Sequence, residues 1–130
     1  MFKRVMATAA MTAALVLVGN NAFAVSTSTK LSNGTLYFEA QDGSQVSGNS
    51  KLFYSVTKYT KTGGGETSIQ LAIWTTTRLH KTDAMKISAG RTKAKSWGGL
   101  SKALWAPDCK ATGYMVATSG QYTTPTVTFC

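Results

Sequence analysis

Arg91, Lys93, Lys95 and Trp97 fall at every second position. In a strand, that spacing puts three cations and a tryptophan on one face. Such a ladder suits contact with phosphate, carboxylate or a membrane interface. The competing reading is a solvated edge strand whose lysines discourage edge-to-edge pairing. Lys58, Lys61 and Lys102 are expected to assist the ladder as further cations.

The other residues with chemical potential are few. Cys109 and Cys130 are the only cysteines, and they form no Cys-x-x-Cys pair. They are expected to make a structural disulfide and no redox centre. His80 is the sole histidine, without a second histidine or a cysteine pair at ligand spacing, so no metal site is expected. Asp83, three residues on, gives the only local acid–imidazole combination. Glu39 belongs to the polar face of a strand pattern, and Asp42, Glu66 and Asp108 lie in turn-like stretches. The chain has no Gly-x-Ser-x-Gly elbow and no phosphate-cradling loop. General acid–base or nucleophilic catalysis needs paired groups that this pattern does not supply. The expectation is a non-enzymatic protein without a cofactor.

The elements that would carry these residues are strands. Residues 51–77 form two arms rich in β-branched and aromatic side chains, separated by Gly63, Gly64 and Gly65. This predicts a central hairpin, with Leu52, Tyr54 and Val56 facing Ile69, Leu71 and Ile73. Leu36, Phe38 and Ala40 alternate with Tyr37, Glu39 and Gln41, which predicts a half-buried strand between turns at Asn33-Gly34 and Asp42-Gly43. Residues 25–32 read as a frayed arm or weak edge strand. Met85, Ile87 and Ala89 alternate ahead of Gly90, where a bulge or turn is expected. Residues 101–106 suit one helical turn with Leu100 and Leu104 turned inward, and Trp105 and Pro107 are expected to plug one end of the core.

The last segment gives a sharp expectation. The midpoint between the two cysteines falls at Ser119-Gly120, a turn dipeptide. A reversal there brings Cys109 opposite Cys130, and Pro125 marks the second arm as an edge or bulged. The whole reads as an all-β domain, a small antiparallel β-sandwich of about six to eight strands, with a small barrel as the alternative architecture.

The first 24 residues read as a secretory signal. Lys3 and Arg4 precede an apolar run from Met6 to Gly19, and Ala22-Phe23-Ala24 is a small-x-small cleavage site. The run is shorter than the ~20 residues a membrane span needs. The expected product is a freely secreted, bacterial-type single domain of residues 25–130, with no transmembrane segment.

The 130-residue chain carries 14 basic and 5 acidic residues, a net charge of +9. Lys3 and Arg4 leave with the signal, which reduces it to +7. Such a surface attracts anionic partners, or simply keeps a small protein soluble. Secretion and the lack of a recognition helix disfavour nucleic acid. Two functions are expected from this balance. The first is a cationic protein acting at anionic cell-envelope polymers or lipid surfaces, with antimicrobial or bacteriocin-like action. The second is a secreted binding protein or enzyme inhibitor that presents a rigid loop to one protein partner.

Overall fold

The computed structural model describes residues 24–130. The expected signal segment lies outside the described residues except for Ala24, which opens the first strand. The strands are β1 (Ala24–Leu31), β2 (Gly34–Asp42), β3 (Leu52–Lys61), β4 (Thr67–Thr75), β5 (Leu79–Lys81), β6 (Met85–Ile87), β7 (Thr92–Ser101), β8 (Lys110–Ala117), β9 (Gly120–Thr123) and β10 (Val127–Thr128). A one-turn helix, α1 (Lys102–Trp105), joins β7 to β8.

Two antiparallel sheets form a sandwich. One runs β1-β2-β3-β7. The other runs β10-β8-β4-β5, with β6 also paired to β4 and β9 to β8. Because β6 pairs the start of β4 and β5 its end, the two short strands share one edge. In the same way β9 and β10 share the opposite edge along β8. The ten strands exceed the expected six to eight because these two edges are each split.

The expected central hairpin is not formed. The arms of residues 51–77 pair with different partners, β3 with β2 and β7, β4 with β8, β5 and β6. The glycines between them build an arch from one sheet to the other, with Gly64 at φ +75°. The Asn33 carbonyl holds this arch by accepting from the Thr62 and Gly63 N–H groups. A glycine-rich reversal permits a hairpin or an arch equally well, and only the pairing partners choose.

The face of β3 also differs from the expectation. Phe53, Ser55, Thr57, Tyr59 and Lys61 are buried, and Leu52, Tyr54 and Val56 stand on the outer, half-buried face. The polar members of the inner face differ: the Ser55 hydroxyl is buried without a hydrogen-bond partner, while Thr57 is bonded on both sides. The Thr57 hydroxyl donates to the Ala72 carbonyl of the opposite sheet (2.9 Å) and accepts from Trp97 Nε1 (3.0 Å). Tyr59 passes over Gly34, where a Cβ would lie 2.7 Å from the phenol oxygen. The expected inner row of β2 is buried as read, with Leu36, Phe38 and Ala40 all at 0 % exposure.

The core has two halves. At one end Phe38, Phe53, Ile73, Trp97, Val127 and Phe129 pack together, with Phe53 and Phe129 stacked at 4.6 Å. At the other lie Leu36, Tyr59, Ile69, Leu71, Ile87 and Met115. The sheets approach closely at Gly113, where a Cβ would come within 2.5 Å of Phe38 Cβ. Trp105 packs partly buried against the first half, as expected, but Leu104 is 59 % exposed and only Leu100 turns inward.

Cys109 and Cys130 form the disulfide, with their Cα atoms 5.6 Å apart. The reversal between them turns through Thr118 and Ser119, one residue earlier than expected. The returning arm pairs as β9, leaves the ladder around Pro125, and pairs again as β10. Proline has no N–H to donate, so the gap falls where the ladder can be interrupted.

Candidate functional site: a basic wall along one side of the sandwich

One side of the sandwich is formed by the adjoining edges of the two sheets, β5 and β6 from one and β7 from the other. All three come from residues 78–101, and the turn between β6 and β7 is short, closed by the Arg91 N–H donating to the Ser88 carbonyl. The same turn is fixed to β3, since Lys61 N–H donates to the Arg91 carbonyl and Gly90 N–H donates to the Lys61 carbonyl. Arg78, Lys81, Lys86, Arg91, Lys93 and Lys95 lie on or beside these edges, and all six are exposed; Lys81 and Lys86, paired with Ala72 and Ser68, share the outer face of their sheet. Asp83 is the one acid of residues 78–95.

Lys93 and Lys95 pair in register with Tyr59 and Thr57. They therefore stand on the inner face of their sheet, and stay exposed because β7 is the outermost strand and the sheets part there. Inward-pointing charge on an edge strand resists pairing with a second chain. It also leaves the ammonium groups free for an external anion. Both consequences follow from one placement.

The aromatic end of the ladder is different. Trp97 shares this face but is 5 % exposed and belongs to the core. Its ring contacts His80 at 5.5 Å, and His80 stacks on Trp105 at 5.9 Å with 13° between the planes. Arg78 lies over Trp105 at 5.5 Å, and Lys95 over Trp97 at 5.6 Å. The result is a column of cation, indole, imidazole, indole and cation that closes the seam between the two edges. Cation–π contact of this kind contributes ~0.5–1 kcal/mol at exposed sites. His80 is thus part of this stack, and Asp83 makes no hydrogen bond to it among the described residues.

The remaining expected cations do not join the wall. Lys102 is ion-paired with Asp42 at 2.9 Å. Burial acts to raise the Asp42 carboxyl, but the Ser44 N–H and the Lys102 ammonium outweigh it and hold the group below its ordinary value. Lys58 lies over the Tyr37 ring at 4.6 Å on the outer face of the first sheet. Burial lowers its pKa, and the nearby Glu39 charge opposes that. The Tyr37 hydroxyl donates to Glu39, and its own pKa is raised mainly by burial and then by that carboxylate. Lys61 is 3 % exposed at the end of β3.

So the structure gathers Arg91, Lys93 and Lys95, buries Trp97 at the end of their face, and leaves Lys58, Lys61 and Lys102 elsewhere. It adds Arg78, Lys81 and Lys86, which sequence reasoning missed. The available signal was density of charge: half of the twelve cations of residues 25–130 fall between 78 and 95. The described residues contain no cluster of three His, Cys, Asp or Glu side chains that could hold a metal. No described helix is long and apolar enough to cross a membrane.

No protein-family model matches this chain, and neither a curated protein nor a solved structure shows significant similarity to it.

Proposed function

We propose that this is a secreted, cationic, non-enzymatic protein that binds anionic cell-envelope surfaces, with inhibition of target bacteria as its biological action. The observation that carries the reading is the wall: six exposed cations on or beside the adjoining edges of both sheets, against one acid in the same stretch. Neighbouring cations on a rigid β framework act together on a charged surface, because the attraction adds without an ordering cost for each residue. A cation near an anionic leaflet contributes ~1 kcal/mol.

The test is binding to anionic and neutral vesicles over a salt titration, with bacterial growth scored in parallel. Replacing Arg91, Lys93 and Lys95 by Gln removes about 3 kcal/mol by that figure, a loss of affinity of roughly a hundredfold. A control that removes the same charge elsewhere, at Lys30, Lys51 and Lys110, is expected to bind nearly as the parent does. Equal weakening by both triple variants would mean that net charge alone is responsible and would refute the wall.

A second reading rests on the outer face of β4 and β5, which also carries Lys81. Trp74 is 49 % exposed and Leu79 47 %, and they are register partners across β4 and β5. Tyr114 lies 5.9 Å from Trp74 on the same face. An exposed aromatic anchor suits one protein partner. Binding that survives high salt and is lost in Trp74→Ala would favour this partner over the envelope.

A further inference from the structure

At the end of the sandwich under the Gly63–Gly65 arch, the two sheets enclose a cavity of about 250 Å³. Lys61 lines it. This lysine is 3 % exposed, yet among the described residues the only lysine ammonium with an ion pair or a side-chain hydrogen bond belongs to Lys102. Every other cation of this domain is exposed, packed over a ring, or paired. Lys61 alone is a buried residue with no ion pair among the described residues, and its ammonium keeps contact with the cavity.

The cavity around it has the composition of a site for a small amphipathic anion. Its polar corner holds Lys61 together with the side chains of Asn33 and Tyr59. The ammonium and the Asn33 amide lie side by side beneath the arch: a Cβ on Gly64 would stand 3.2 Å from Lys61 Nζ and 2.9 Å from Asn33 Nδ2. Gly64 also has φ +75°, a backbone conformation that favours glycine. Away from this corner Leu31, Ile69 and Met115 line it beside Ser32, Thr67, Thr118 and Ser119. No acid lines the cavity. The volume is below the ~300–1,000 Å³ of sites for drug-sized ligands, so the ligand is small.

We propose that this cavity binds a small monocarboxylate with an apolar body, its carboxylate on Lys61, Asn33 and Tyr59 and its hydrocarbon or ring against Leu31, Ile69 and Met115. A carboxylate supplies the missing counter-charge and accepts from several donors at once. The site is separate from the basic wall and does not depend on that reading.

The experiment is an NMR titration of the whole domain with octanoate, benzoate and octanol, alongside thermal unfolding. Octanoate or benzoate is expected to shift the amide signals of Asn33, Lys61 and Met115 saturably and to raise the melting temperature. Octanol is expected to bind at least about tenfold more weakly, since a bond to a charged group is lost. Lys61→Met should abolish carboxylate binding while the free protein stays folded, as its amide spectrum will show. The Arg91, Lys93 and Lys95 triple variant should retain it. Equal binding of octanoate and octanol, undiminished carboxylate binding in Lys61→Met, or no saturable binding of either acid by the parent protein would each overturn the assignment.

Discussion

Replacing Thr57 by valine tests whether Trp97 is held by the core. The substitution keeps the shape of the side chain and exchanges only a hydroxyl for a methyl. In the folded protein that hydroxyl joins three strands, donating to the Ala72 carbonyl of β4 and accepting from the Trp97 indole of β7. Thr57 is at 0 % exposure, so water cannot take its place. Stranding a buried donor or acceptor costs ~1–3 kcal/mol. Two such groups at about 2 kcal/mol each, less about 1 kcal/mol returned by the buried methyl, leave a net loss of about 3 kcal/mol. For a domain of this size that lowers the melting temperature by roughly 12 °C or more. The assay is urea unfolding followed by tryptophan fluorescence, with Thr57→Ser measured beside it. Serine keeps the hydroxyl and loses one methyl, at about 1 kcal/mol. The expected order of stability is parent, then serine, then valine. Hydrophobic burial alone predicts valine above serine, and that order would refute the hydroxyl bridge.

Three further outcomes are expected. Replacing Cys109 and Cys130 by Ser removes a crosslink spanning 21 residues and should cost ~3 kcal/mol, with amide exchange rising first in β10. Gly113→Ala places a methyl 2.5 Å from Phe38 Cβ and should destabilise by ~1–3 kcal/mol, read in the same unfolding assay; unchanged stability would mean that the sheets can separate locally. The Asp42 carboxyl is held below its ordinary 3.8, so its contribution is present above that pH and is lost as pH falls through the lower folded value. Asp42→Asn should therefore be less stable than the parent at pH 6, and the gap should close toward pH 2; a constant gap would remove the ion pair as its cause.

How much of the fold could be read in the chain depended on whether a signal was local. β2 was legible because its apolar residues occupy one phase of the alternation only. The disulfide and its returning arm were legible because the expected secretory signal, two cysteines and Pro125 point the same way. β3 was not: apolar residues occupy both of its phases, and the more apolar phase faces out. The inner phase is tolerated because Thr57 finds partners in other strands, Tyr59 passes over Gly34, and Lys61 enters a cavity. None of these partners is a neighbour in sequence. The same limit applies to the site. The alternation of Arg91, Lys93 and Lys95 was visible, but whether Trp97 continues it into solvent depends on where β7 leaves the shelter of the opposite sheet.

The chain by itself determined class and charge. Alternating β-branched and aromatic residues specify strands, paired cysteines specify a crosslink, and the excess of lysine over acid specifies a cationic surface, because each is a property of composition or of spacing within a few residues. Tertiary structure decided the rest: that the glycine reversal is an arch, that two sheet edges meet with six cations on or beside them, that Trp97 belongs to the core, and that Lys61 is buried beside a cavity. Those outcomes turn on which strands pair, and pairing is settled by packing between segments distant in sequence, where a shift of one residue exchanges the two faces of a strand.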